Sequence, residues 1–234
     1  MKINDSYIKE MYPEDLDNTY PKKFCDYISE SYLREFKDKS VKFLEVGYGK
    51  GDHILLFSNI FKGNFFGIDI NPVDVPGIEC KKCNLEFEKI DYPDSTFDII
   101  FSKSVIEHVV NTDNFISEIC RVLKPGGCAI VMAPDWQSQM KNFFDDYTHV
   151  KPFTARSMAS AITINGLHDN RVEKIVQLPI VWKFPILKYG CDIIDLIFPE
   201  SFKWKTKSGR NTNDRKWVRF SKERMLVCIA RKSP

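Results

Sequence analysis

The feature that most constrains this chain is the run Leu44-Glu45-Val46-Gly47-Tyr48-Gly49-Lys50-Gly51-Asp52-His53. It is an apolar segment that passes through three glycines, two apart, into a helical pattern. Glycines at a strand-to-helix turn permit a tight bend and close backbone approach by a ligand, which a Cβ would obstruct. Val41–Val46 is predicted as a buried strand, Asp52–Phe61 as a helix and Phe65–Ile70 as a second strand. A chain of 234 residues with 43% hydrophobic and 28% charged side chains can supply one large α/β core, and is too short for two full-sized domains with linkers.

The alternation continues downstream. A short strand is expected near Ile78–Cys83 and another at Phe97–Ser102, followed by a helix capped by Asn111 or Thr112 with Phe115, Ile116, Ile119, Cys120, Val122 and Leu123 on its apolar face. Pro125-Gly126-Gly127 ends that helix, and Cys128–Met132 reads as a fifth strand. After an aromatic, acidic loop, Thr154 caps a helix to about Ile164, Val172–Leu178 resumes as a strand and Met225–Ala230 is the last. Phe24, Tyr27, Ile28, Tyr32 and Phe36 recur at helical spacing in a lead helix. The reading is a doubly wound, mostly parallel α/β sheet in one domain, 1–234: a helical cap at 1–40, a core at 41–178, an insertion or lid at 179–224, and the last strand with its tail at 225–234. Within the insertion, Ile186, Leu187, Gly190, Ile193, Ile194, Ile197 and Phe198 share a helical face opposite Lys188, Asp192 and Asp195. That helix is expected to dock on the body or on a second copy of the chain as a homodimer. Its charges rule out a membrane span, and its aspartates fit anionic lipid poorly.

The N-terminus has no apolar run of the secretory kind, and seven cysteines at Cys25, Cys80, Cys83, Cys120, Cys128, Cys191 and Cys228 make no disulfide framework, so a reduced, cytoplasmic protein is expected. Cys80-Lys81-Lys82-Cys83 lacks a second ligand pair and reads as two ordinary thiols. The net charge of +2 conceals 11 Lys/Arg against Asp214 and Glu223 from Lys203 onward, a basic segment on a mildly acidic body.

Asp69 ends the second predicted strand twenty positions after Gly49. In a doubly wound sheet this sets a carboxylate beside the glycine loop, where it accepts hydrogen bonds from both ribose hydroxyls of an adenosine. The glycine spacing departs from the dinucleotide G-x-G-x-x-G. Asp52 at the helix start, with Glu45 just upstream, suits a ligand bearing an ammonium and a sulfonium better than a pyrophosphate. A glycine turn without a ligand is the bland reading of the triplet taken alone.

Glu45–Gly51, then Gly67-Ile68-Asp69-Ile70, Phe97–Ser102, Val105-Ile106-Glu107-His108-Val109 and Leu123-Lys124-Pro125-Gly126-Gly127 together resemble the successive motifs of class I S-adenosylmethionine-dependent methyltransferases. The resemblance covers Val41 to about Pro134 closely and the rest more loosely. It implies a seven-stranded sheet with an antiparallel last strand and S-adenosylmethionine as cofactor, S-adenosylhomocysteine being the product. Gly47, Gly49 and Gly51 would surround the donor's amino-acid part, with the charge of Glu45 nearby. Asp69 would hold the ribose, Ile70, Asn84 and Leu85 would meet adenine, and Ser102 and Lys103 would border the methionine moiety. Tyr48 stands where smaller residues are common.

Methyl transfer is an in-line displacement, so the chain must position a nucleophile and, for a hydroxyl, remove its proton. The segment from Asp146 to Thr154 resembles one in methyltransferases associated with surface (capsular or O-antigen) polysaccharide biosynthesis, and His149 within it is a candidate base or substrate ligand, or else a loop-shaping hydrogen bonder. His108 is a second candidate. Asp145, Asp146 and His149 could bind a divalent metal, as in some sugar methyltransferases, but their spacing is too loose to prefer that, and no metal is assigned. The fourth strand ends Ser102-Lys103-Ser104, without the proline-rich segment that grips a flipped base in nucleic-acid amino-methyltransferases. The expected acceptor is therefore a carbohydrate or sugar phosphate, then a small metabolite, and last a nucleic acid, although Trp204, Trp217 and Phe220 in the basic tail are of a kind that stacks on RNA. A non-catalytic cofactor-binding module and a nicotinamide dehydrogenase are the rival classes.

Overall fold

The fold is that of a computed structural model, which describes residues 19–198, 205–207, 210–212 and 216–233. The expectations for Trp204 and for the start of the basic tail lie outside the described residues. The elements run α1 (Thr19–Tyr32), β1 (Ser40–Val46), α2 (Asp52–Ile60), β2 (Lys62–Asp69), β3 (Glu79–Lys82), β4 (Phe97–Lys103), α3 (Thr112–Val122), β5 (Leu123–Pro134), α4 (Ala155–Ile164), β6 (His168–Val176), α5 (Pro179–Lys183), α6 (Lys188–Ile197), the ribbon β7 (Lys205–Lys207) and β8 (Arg210–Thr212), α7 (Lys216–Lys222), and β9 (Arg224–Arg231). Seven strands form one sheet in the order β3-β2-β1-β4-β5-β9-β6. Pairing is parallel from β3 to β5, and β9 runs antiparallel to both β5 and β6.

Each face of the sheet carries its own core. Phe43, Ile99, Phe101 and Ile130 pack beneath α1 and α2 with Phe24, Ile28, Ile54 and Phe57. Leu44, Val46, Ile100 and Val131 pack against α3 and α4 with Phe115, Ile119, Met158 and Ile162. Phe97 and Ile100 share a face although they are three apart, because the β4–β5 register shifts between Phe97 and Ile99. The same irregularity carries β5 back to Leu123, so Pro125-Gly126-Gly127 lies within the strand rather than before it. Asn111 and Thr154 cap α3 and α4 as the sequence predicts. The strand predicted at Val172–Leu178 lies instead at His168–Val176. It is a sheet edge, where polar residues face water and the alternation signal fades.

The insertion helix α6 docks on the body through its charged side. Its inward side carries Cys191, and Asp192 and Asp195 pair with Arg224 at 3.0 Å and Lys222 at 2.8 Å. Lys222, 2% exposed, also donates to the carbonyls of Asp195 and Phe198. Burying two cations requires nearby counter-charges, and this outweighs the gain from turning the apolar side inward. Tyr189, Ile193, Leu196 and Ile197 consequently face outward, Leu196 at 86% exposure. Among the described residues, no helix is long and apolar enough to cross a membrane.

Candidate functional site

The C-terminal ends of β1, β2 and β4 meet where the chain leaves the sheet for its helices. Gly47 donates its amide to Ile68 O at 2.7 Å, and Gly51 donates to Tyr48 O at 2.9 Å, which folds 47–51 into a loop with all three glycines at positive φ. Two of these glycines serve packing: a Cβ on Gly47 would lie 2.2 Å from Val105 Cγ2, and one on Gly51 would lie 2.6 Å from Val75 Cγ2. Gly49 differs, since a Cβ there would meet nothing within 4 Å. The space over Gly49 is bordered by Asp69, whose Oδ2 accepts the Gly49 amide at 3.0 Å and whose Oδ1 accepts the Asn71 amide at 2.9 Å. A carboxylate oxygen has two lone pairs, so each retains capacity for a hydroxyl. Open room beside an anchored carboxylate fits a ribose diol.

Beneath the loop is a buried charge network. Glu45 is buried, its Oε1 lies 3.6 Å from His53 Nδ1, and its Oε2 has no hydrogen-bond partner. Burial raises the Glu45 carboxyl well above its ordinary range, with Lys103 opposing. Burial drives His53 down to about 3, which keeps that imidazole neutral. Lys103 is held down by burial against the pull of Glu107, Glu223 and Glu45, and its Nζ sits 5.5 Å over the Phe24 ring. An orphaned, buried carboxylate oxygen favours a cationic group nearby, so the donor set fits the ammonium end of an aminoacyl ligand.

The remaining residues expected at the cofactor divide by the direction of their side chains. Tyr48 is buried, with its ring against Gly67 and its hydroxyl donating to Val73 O at 2.7 Å and accepting from Val73 N at 2.9 Å. It fastens the loop to the 71–75 segment and leaves only its backbone toward a ligand. Ser102 is buried and donates to Val46 O at 3.0 Å. Leu85 belongs to the core under α3, while Asn84 accepts the Glu86 amide at 3.1 Å beside it. Ile70 stays half-buried at the tip of β2.

On the other side of β4, the turn Ile106–His108 meets the loop after β5. The amides of Val150 and Lys151 donate to Glu107 O at 2.9 and 3.0 Å, which brings the two imidazoles together with ring centroids 4.8 Å apart. His149 Nδ1 lies 2.6 Å from Phe143 O. A carbonyl can only accept, so Nδ1 carries the proton and Nε2 the lone pair. His108 Nδ1 lies 2.9 Å from Thr148 Oγ1, which itself donates to Asp146 Oδ1, so the same tautomer follows. Burial and the neighbouring His149 lower the pKa of His108. Glu107 is 1% exposed, neither of its carboxylate oxygens has a hydrogen-bond partner, and burial pushes it up to about 8.

The structure brings His108 and His149 together and adds Glu107 beside them, which sequence reasoning treated only as part of a motif. Asp145 stays outside this group; the three that converge are Glu107, His108 and His149. Two surface hollows, one lined by Lys89, Asp91, Asp94 and Arg121 and the other by Phe61, Asn64, Phe66 and Glu79, lie away from both the glycine loop and the imidazoles.

Residues 44–131 match the family described as "Methyltransferase domain". Over 173 residues the chain is 24% identical to 2-methyl-6-phytyl-1,4-hydroquinone methyltransferase of Synechocystis, an alignment that covers 64% of this chain and 52% of that protein. The chain thus spans about half the length of this relative. Its fold is similar to a SAM-dependent methyltransferase from Archaeoglobus fulgidus (15% identity, TM-score 0.63, covering 98% of this chain and 100% of that one). It is also similar to Haemonchus contortus phosphoethanolamine N-methyltransferase 2, solved with phosphomonomethylethanolamine and S-adenosylhomocysteine (14% identity, TM-score 0.61, covering 100% and 61%). A methyltransferase domain is thus matched across β1 to β5, and the fold as a whole is similar to that of solved S-adenosylmethionine-dependent methyltransferases.

Proposed function

We propose that the protein transfers a methyl group from S-adenosylmethionine to an oxygen of a small molecule held against Glu107, His108 and His149. The observation that carries this reading is the pair of Nε2 lone pairs fixed beside a partnerless carboxylate, next to the loop that fits the donor. Bound there, the cofactor supplies an electrophilic methyl on a sulfonium, a good leaving group. Asp69 would hold the ribose, Gly49 leaves room for it, the ammonium would draw the buried Glu45 carboxyl into its ionised form, and Lys103 joins the donor side to the acceptor side. Methyl transfer to the acceptor oxygen would release the neutral thioether, and the imidazole pair of His108 and His149 would take the hydroxyl proton.

The named acceptors of the relatives, a hydroquinone and phosphoethanolamine, favour a small molecule. A sugar or sugar phosphate of surface polysaccharide is the second reading, favoured by the sequence of the Asp146–Thr154 loop that carries His149. The protein is incubated with methyl-labelled donor and a panel of hydroquinones, amino alcohols, phosphorylated sugars and RNA. Label is expected on a hydroxyl-bearing small molecule. Label only on RNA overturns the acceptor class, and donor binding without any transfer favours a non-catalytic module.

A further inference from the structure

We propose that Glu107, His108 and His149 bind a divalent transition-metal ion. The three residues come from two separate loops, and one ligand atom from each lies within 4.8 Å of the others. Two imidazoles and a carboxylate with a side open to ligand are the donor set of catalytic zinc sites and of non-haem metal centres. Metal–ligand bonds of about 2.0–2.2 Å at a tetrahedral angle set ligand atoms roughly 3.3–3.6 Å apart, so a pair at the full 4.8 Å would close by about 1.2–1.5 Å. That movement is within the reach of a Glu χ angle.

Three independent features support the assignment. Glu107 is nearly fully buried and neither carboxylate oxygen has a hydrogen-bond partner, a costly arrangement that no structural contact explains. His149 Nδ1 is committed to a backbone carbonyl and His108 Nδ1 to Thr148, the outer hydrogen bonds that orient metal-binding histidines through Nε2. Asp146, which accepts from Thr148 and has Oδ2 3.8 Å from His149 Nε2, places a second carboxylate on the side of the ring where the ion would bind. Lys103 opposes with one positive charge, but its Nζ lies against the Phe24 ring.

This deepens the proposed function: an acceptor hydroxyl bound to the ion would lose its proton to solvent water more readily, and Nε2 of His149 would hold the ion rather than the proton. The test does not depend on turnover. Full-length protein stripped with chelator is titrated with Zn2+ while the four imidazoles are followed by 15N NMR, and with Co2+ while visible absorption is recorded. One equivalent is expected to shift Nε2 of His108 and His149 and leave His53 and His168 unmoved. His149→Ala should weaken Co2+ binding at least about tenfold while retaining S-adenosylhomocysteine binding by calorimetry. Unshifted His108 and His149 resonances at stoichiometric Zn2+, or equal Co2+ affinity in a folded variant, overturn the site. If the variant does not fold, the NMR titration of the unaltered chain decides. Cofactor binding without metal binding sinks this inference alone, and metal binding without cofactor binding sinks the donor-site reading alone.

Discussion

Asp69 accepts the amide proton of Gly49 across the tips of two parallel strands at 3.0 Å, so the residue suited to a ribose also fixes the loop over which that ribose would lie. Asp69→Ala removes both the loop anchor and the hydroxyl acceptor. S-adenosylhomocysteine affinity should fall about 10- to 100-fold, as expected for hydrogen bonds to a charged group. Calorimetric affinity within twofold of the parent would remove Asp69 from the donor site.

The glycines separate packing from ligand room. In Gly67→Ala the new methyl would lie 2.6 Å from the Tyr48 ring, and in Gly47→Ala it would lie 2.2 Å from Val105, so both should lower thermal stability, by roughly 1–3 kcal/mol. Gly49→Ala places its methyl in open space at φ +55° and should cost only about 1–2 kcal/mol from the left-handed backbone. It should nevertheless weaken donor binding. Thermal melts beside calorimetry distinguish the two effects, and unaltered donor affinity in Gly49→Ala would show that the ligand lies elsewhere.

His53 is neutral in the folded chain because burial lowers it to about 3, whereas the unfolded chain protonates it near 6.5. Between those values the unfolded state binds more protons, so its contribution to stability is present above pH 6.5 and is lost as pH falls toward 3. Replacing the residue, as in His53→Gln, should flatten denaturant-derived stability against pH over this window, by up to about 1.4 kcal/mol per pH unit. Parallel profiles for the two proteins would refute the assignment.

Lys222 fastens α6 through the Asp195 carboxylate and the carbonyls of Asp195 and Phe198. Lys222→Met leaves these acceptors without their donor and should accelerate hydrogen exchange in 188–197, with little change in β1, β2 or β4. By contrast, Leu196→Gln on the outward side should shift stability by less than about 0.5 kcal/mol. Exchange in 188–197 that is indifferent to Lys222→Met would mean that other contacts hold the helix.

The sheet was legible because buried parallel strands read as short apolar runs and their helices carry caps at fixed offsets, as Asn111 and Thr154 show. The donor loop was legible because its glycines and Asp69 are local to one strand–turn–helix–strand unit. Three features were hidden. The partners of Asp192 and Asp195 lie about thirty residues downstream, so periodicity identified an amphipathic helix without revealing which side would face the body. Tyr48 resembles a loop residue in sequence, and only its pairing with Val73 shows it turned inward. Glu107 and His149 are brought together by backbone bonds between loops forty residues apart, which no local pattern encodes.

Val176 and Arg224 are paired across neighbouring antiparallel strands, so the whole segment 177–223 leaves and re-enters the sheet at one point on its rim. The entropy of closing such an excursion grows only slowly with length. Evolution can therefore lengthen, shorten or exchange this appendage without disturbing the strand register or the glycine turn at the tip of β1, three strands from β9, which makes it a part of the molecule free to diverge between otherwise similar chains.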